Sequence, residues 1–222
     1  MGARAGLGAP KQYARIGGRS LVAHTLAALA RVARLQATLV ALAPDDAQFT
    51  AQAGTLDAER FWVAHCGGVT RAATVANGLA ELQRRGAADD DWVLVHDAAR
   101  CLLQPQWVER LIAACGDDAV GGLLALPLAD TLKQAEEGRV QRTLPRGDKW
   151  AAQTPQMFRL GLLRQALQEA GPGVTDEASA IEALGRRPLL VPGELENFKI
   201  TWPQDLELAE RLLATRRPSL EA

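Results

Sequence analysis

WVLVHDAARCLLQPQWVERLIAAC (92–115) is the stretch on which the fold turns. Its first five residues are short, apolar and β-branched and stop at the polar Asp97–Arg100, as a strand buried on both faces does. Pro105 then supplies the φ of a first helical turn, and PQWVERLIAAC carries its apolar residues at helical spacing. A buried strand handing over to an amphipathic helix is the repeating unit of a parallel sheet covered by helices.

Toward the N-terminus the unit recurs. FWVAHC (61–66) leads through Gly67-Gly68 to a helix opened by Thr70 and closed at Gly86; ATLVALA (37–43) follows a helix over LVAHTLAALARVARL capped by Ser20. Toward the C-terminus, AVGGLLALP (119–127) reads as a fourth strand. Helices over 159–170 and 175–184, strand-like RPLLVP and NFKIT, and a last helix opened by Pro203 complete the chain. Residues 128–153 break this rhythm, because Glu136-Glu137-Gly138 makes a polar turn between segments too polar for a central sheet. They predict a projecting β-hairpin arm. The expected architecture is one α/β domain over 1–222, a Rossmann-like, mostly parallel sheet flanked by helices, with 128–153 as the arm.

Composition narrows the function. With 25 Lys+Arg against 26 Asp+Glu and a net charge of -1, the chain lacks the basic excess of a nucleic-acid binder, although a local basic pocket for a small anion is compatible with it. Cys66, Cys101 and Cys115 have no C-x-x-C spacing and suggest neither disulfides nor zinc. No apolar run approaches the roughly 20 residues of a membrane span, and the N-terminal stretch lacks a signal-peptide core, so a cytoplasmic, unanchored protein is expected.

Parallel sheets present ligands at the carboxyl ends of their strands, which gathers Gly67-Gly68, Asp97–Arg100 and Lys199 at one edge. There Asp97 suits a divalent metal or a substrate hydroxyl, and equally suits a cap on nearby backbone N–H groups. The Gly-rich start with Arg4 and Lys11 suits phosphate, or is a plain N-terminus. His96 reads as a satisfied strand-end residue, and Thr175-Asp176-Glu177 as a helix cap with acids in its first turn.

PKQY (10–13), GGVTRAATVANGL (67–79), VHDAARCLL (95–103), ADTLK (129–133), QTPQMF (153–158), TDEASAIE (175–182) and ENFKIT (196–201) occur in the order found in one family. Through them the chain resembles the 2-C-methyl-D-erythritol 4-phosphate cytidylyltransferases of non-mevalonate isoprenoid synthesis over nearly its whole length. The resemblance implies a nucleotidyltransferase-type fold, transfer of CMP from CTP to methylerythritol phosphate, Mg2+ as cofactor and a homodimer. It implies that Arg4 and Lys11 hold the triphosphate and that Lys199 stabilises the five-coordinate phosphorus. Gly68 and Thr74 would read the cytosine, Asp97 would meet metal and substrate beside Arg100, and Thr154 would line the substrate pocket. Thr131 and Arg146 of the arm would enter the partner's pocket.

Family members begin with a buried strand and a Pro-Ala-Ala-Gly-like turn, whereas this sequence starts within that loop, at Gly2 and Arg4; the sheet is expected to lack its first strand. Cys101 replaces a usual Pro and Val69 a common acid. Two other readings stand beside this one: a cytidylyltransferase for another sugar-alcohol phosphate such as ribitol 5-phosphate, and a non-catalytic dimeric remnant.

Overall fold

The computed structural model describes residues 10–171 and 174–216. A 3-10 turn at Lys11–Tyr13 precedes a small hairpin of β1 (Arg15–Ile16) and β2 (Arg19–Ser20). Ser20 caps α1 (Leu21–Ala30), its Oγ accepting from Ala23 N at 3.2 Å. That helix stops five residues short of the predicted end, because the Arg60 guanidinium donates to the carbonyls of Ala30, Val32 and Leu35 at 3.0–3.2 Å and satisfies them outside a helix.

The chain continues through β3 (Thr38–Ala41), α2 (Phe49–Gln52), β4 (Phe61–Ala64), α3 (Arg71–Arg84), β5 (Trp92–Val95) and α4 (Pro105–Cys115). After β6 (Gly121–Pro127) come the hairpin strands β7 (Leu132–Glu136) and β8 (Arg139–Leu144), then β9 (Trp150–Arg159) and α5 (Leu160–Glu169). The last elements are α6 (Glu177–Ala183), β10 (Leu189–Pro192), a 3-10 turn at Leu195–Asn197 and α7 (Pro203–Thr215).

The largest sheet has the order β10-β6-β9-β5. β10 runs parallel to β6, and β9 is antiparallel to both β6 and β5, so β5, β6 and β10 all point the same way and β9 alone runs against a mostly parallel sheet. The cause is the arm: the chain leaves β6, turns back through β7 and β8, and re-enters the sheet in the opposite sense. β9 also claims residues 150–153, so the projecting part of the arm ends earlier than expected. NFKIT forms no strand; Asn197 is fully buried with its amide on Gln153 and Thr154, and Ile200 N donates to Ala99 O at 2.8 Å, which ties the segment to the loop after β5.

β3 and β4 form a separate parallel pair. Among the described residues β3 meets only β4 and β5 meets only β9, and a cavity of about 900 Å³ lies between their open edges. Leu39, Leu79, Val93 and Leu94 line its length, and Arg71 and Asp97 line it at the carboxyl end of β5. The strand that the family resemblance places ahead of this sequence has no counterpart among the described residues. The largest sheet is covered on both faces: Leu111 and Leu124 on one, and Phe158, Leu163 and Ile181 on the other, have no solvent exposure.

Candidate active site at the carboxyl edge of the sheet

Two loops and a helix start build the site. Gly67 and Gly68 carry the chain from β4 to α3, and neither tolerates a side chain: a Cβ on Gly67 would stand 2.8 Å from Leu42 O, and one on Gly68 2.6 Å from the Ala73 Cβ. Thr70 caps α3 by accepting from Ala73 N at 3.0 Å. One turn on, the Thr74 hydroxyl accepts from Gly68 N at 3.0 Å, so the two residues expected to read a base are bonded to each other.

The loop after β5 presents Asp97. Thr154 Oγ1 accepts from Asp97 N at 3.1 Å and bonds His96 Nδ1 at 3.0 Å, so this hydroxyl fixes the loop that carries the acid. The His96 Nε2 is buried with no partner among the described residues, so the residue is half satisfied, contrary to expectation. Burial lowers its pKa to about 4, and the imidazole is neutral at pH 7.

The Asp97 side chain is not a backbone cap. Its Oδ1 accepts from Arg71 Nε at 3.1 Å and its Oδ2 from Lys199 Nζ at 2.6 Å. Burial pushes the carboxyl pKa up, but Arg71 and Lys199 outweigh it and hold Asp97 well below the usual carboxylate range. Arg71 is itself gripped from behind, its Nη1 and Nη2 donating to Glu177 Oε1 and Oε2 at 2.6 and 2.9 Å. Glu177 has no solvent exposure; burial raises its pKa and the guanidinium pulls against that rise. Its helix is capped by Asp176, whose carboxylate accepts from Ser179 N, which leaves Glu177 for this pair.

Lys11 donates from Nζ to Ile200 O at 3.0 Å, one residue from Lys199, which brings both lysines to the same edge. Arg100 turns to the carbonyls of Asn197 (2.6 Å) and Ala152 (3.2 Å), clamping the Lys199 segment to β9. Arg4 lies outside the described residues. Thr131 and Arg146 are exposed on the arm and make no hydrogen bond or ion pair to the Asp97 cluster among the described residues. The described residues hold no group of three or more His, Cys, Asp or Glu side chains able to cage a metal.

Arg71 and Glu177, the ion pair that holds Asp97 from behind, are not among the candidates that the sequence offered. A signal was available: an arginine in the first turn of a helix opposes the macrodipole, and such a position calls for acidic partners.

A family profile described as IspD: 2-C-methyl-D-erythritol 4-phosphate cytidylyltransferase matches residues 1–215. The "Bifunctional enzyme IspD/IspF" of Albidiferax ferrireducens is 61% identical over 97% of this chain, which spans about half (51%) of that protein's length. The 2-C-methyl-D-erythritol 4-phosphate cytidylyltransferase of Burkholderia multivorans is 52% identical over 96% of this chain and 92% of its own. A crystal structure of 4-diphosphocytidyl-2C-methyl-D-erythritol synthase, 45% identical, superposes with a TM-score of 0.84 over 91% of this chain and 94% of that one. HDAAR, TDEASA and the Lys199 segment thus meet at one edge of a sheet shared with these proteins, and the chain belongs to the 2-C-methyl-D-erythritol 4-phosphate cytidylyltransferase family.

Proposed function

We propose that the Asp97 edge catalyses the family's reaction in this chain: CMP passes from CTP to the 4-phosphate of 2-C-methyl-D-erythritol 4-phosphate, and pyrophosphate leaves. The observation that carries the reading is Asp97 shared between Lys199 and Arg71 at the end of β5, with Lys11 beside the Lys199 segment. A phosphate monoester has a second pKa of about 6 and is already an anion at neutral pH, so it attacks without a general base. The barrier comes from bringing two anions together while a third departs, and preorganised cations lower it. Lys199 and Lys11 supply that charge at the reacting phosphorus, joined by Arg4 on the triphosphate. Gly68 and Thr74 read the base from the tight turn that their own hydrogen bond fixes. Thr154 serves the site by holding the Asp97 loop and Arg100 by holding the Lys199 segment.

The donor set fits Mg2+ carried in on the triphosphate better than a metal held by the protein alone. Mg2+ commonly takes one or two carboxylates and completes its shell with phosphate oxygens and water, and Asp97 is the carboxylate on offer. When bound it would neutralise phosphate charge. The arm supports a homodimer: among the described residues β7 and β8 pair only with each other and are mostly exposed, including Val140 at 63%, and an isolated two-stranded hairpin is marginal in water. In the dimer Thr131 and Arg146 serve the partner's pocket; sedimentation as a monomer at working concentration would remove that role. No helix of the described residues is long and apolar enough to cross a membrane, and we place the reaction in the cytoplasm.

The test is substrate choice. With CTP and Mg2+, methylerythritol phosphate should release pyrophosphate far faster than ribitol 5-phosphate. The reverse order would assign a different sugar-alcohol phosphate, and no release with either would favour a non-catalytic protein.

A further inference from the structure

Asp97 could be held by Lys199 alone, yet the fold commits a second cation to it and buries a carboxylate to hold that cation. Arg71 spends all three of its donor nitrogens on this: Nε goes to Asp97 Oδ1 at 3.1 Å, and the Nη pair goes to the two oxygens of Glu177 at 2.6 and 2.9 Å. The fork binds Glu177 bidentately, which fixes the plane of the guanidinium and with it the direction of Nε. The residues come from three elements that are distant in sequence: α3, the loop after β5, and α6. A pin of this kind turns a flexible aspartate into one with an assigned orientation.

We propose, on the footing of the cytidylyl-transfer reading, that Arg71 is a positioning residue locked by Glu177. It holds the Asp97 carboxylate by one oxygen and so fixes the plane in which the other faces Lys199, so that Lys199 and the incoming triphosphate meet at a fixed point. Arg71 sits at the first position of α3, one turn before Thr74, so the same anchor sets the distance between the base-reading turn and the phosphate-facing lysine. Lys199 is bonded to Asp97 at 2.6 Å, and an anionic phosphate or a cation drawn to Asp97 competes with that bond. Arg71 stays, Asp97 keeps one partner throughout, and Lys199 becomes available to the phosphate.

A purely structural alternative is that Arg71 exists only to neutralise the buried Glu177. Removing one member of a buried pair leaves an uncompensated charge, whereas removing both can be tolerated. The informative variant is therefore the double change Arg71→Ala with Glu177→Ala, compared with Arg71→Lys and with wild type, each first shown to be folded by circular dichroism and thermal melting.

Positioning predicts that the folded double variant loses about a hundredfold in kcat, the scale of a small misplacement of reacting groups, with the KM for CTP within about threefold of wild type. Arg71→Lys, which keeps the charge and loses the fork, should show a similar loss. A double variant with wild-type kcat would overturn the proposal. A crystal structure of the double variant gives a readout independent of turnover: the Asp97 carboxylate should leave its present orientation. Asp97 and Lys199 found unmoved would also overturn it. Wild-type protein inactive with every sugar-alcohol phosphate would instead defeat the functional reading, and the crystallographic result would still decide whether Arg71 positions Asp97.

Discussion

β6 and β9 each lie between partners on both sides, and their central residues are buried. β3 (TLVA) and β5 (WVLV) are as apolar as β6 (GGLLALP), yet among the described residues each meets a partner on one side only, and most of their residues are half-buried beside the 900 Å³ cavity. The difference teaches that an apolar run records what a strand's side chains suit, not how many neighbours the strand has. It also bears on the chemistry. Gly68 and Thr74 belong to the half containing β4, Asp97, Thr154 and Lys199 to the half containing β6 and β9, and the Arg71 bond to Asp97 spans the two where the cavity meets the site.

The strongest way to break this comparison is to truncate matched leucines. Leu124→Ala in β6 or Leu163→Ala in α5, both without solvent exposure, should cost about 2–5 kcal/mol in urea unfolding, because each opens a new void in a closed interior. Leu39→Ala or Leu94→Ala beside the cavity should cost less than about 2 kcal/mol, since both side chains are half-buried and border open space already. Equal losses in the two halves would mean that the cavity is closed in solution.

Glycines sharpen the contrast with a smaller effect and opposite signs. A Cβ on Gly78 in α3 would meet only Leu39 Cδ2, at 3.9 Å, so Gly78→Ala should stabilise by about 0.5–1 kcal/mol through helix propensity. On Gly122 in β6 a Cβ would lie 2.5 Å from Leu189 O, and Gly122→Ala should destabilise by about 1–3 kcal/mol. Thermal melts of the two variants moving in the same direction would contradict the account.

The element starts were legible because their chemistry is local. Ser20, Thr70, Pro105 and Pro203 open helices where the sequence placed them, and Gly86 ends α3 at a φ of 99°. The antiparallel strand β9 was not legible: QTPQMF carries two Gln, a Thr and a Pro, which argue against a central strand, and nothing in it tells that the chain re-enters the sheet from the arm. NFKIT alternates like a strand, but the buried Asn197 amide, bonded to Gln153 and Thr154, commits it elsewhere. The site was legible as far as single residues at a sheet edge go, with Asp97 and Lys199 found together as expected. The Arg71–Glu177 pair spans 106 residues: an arginine at the start of α3 calls for an acid, but nothing local says which acid answers it.

The role proposed for the lysines at this edge is to stabilise charge on a phosphorus in transfer from CTP. The measurement is turnover of CTP labelled at its α-phosphate with methylerythritol phosphate and Mg2+, in wild type and in Lys199→Ala. Label should appear in a diphosphocytidyl-methylerythritol product with one pyrophosphate released per transfer, and Lys199→Ala should lower kcat by about a hundredfold or more, the scale of losing one preorganised electrostatic group. Wild-type kcat in Lys199→Ala, or a change confined to the KM for CTP, would contradict it.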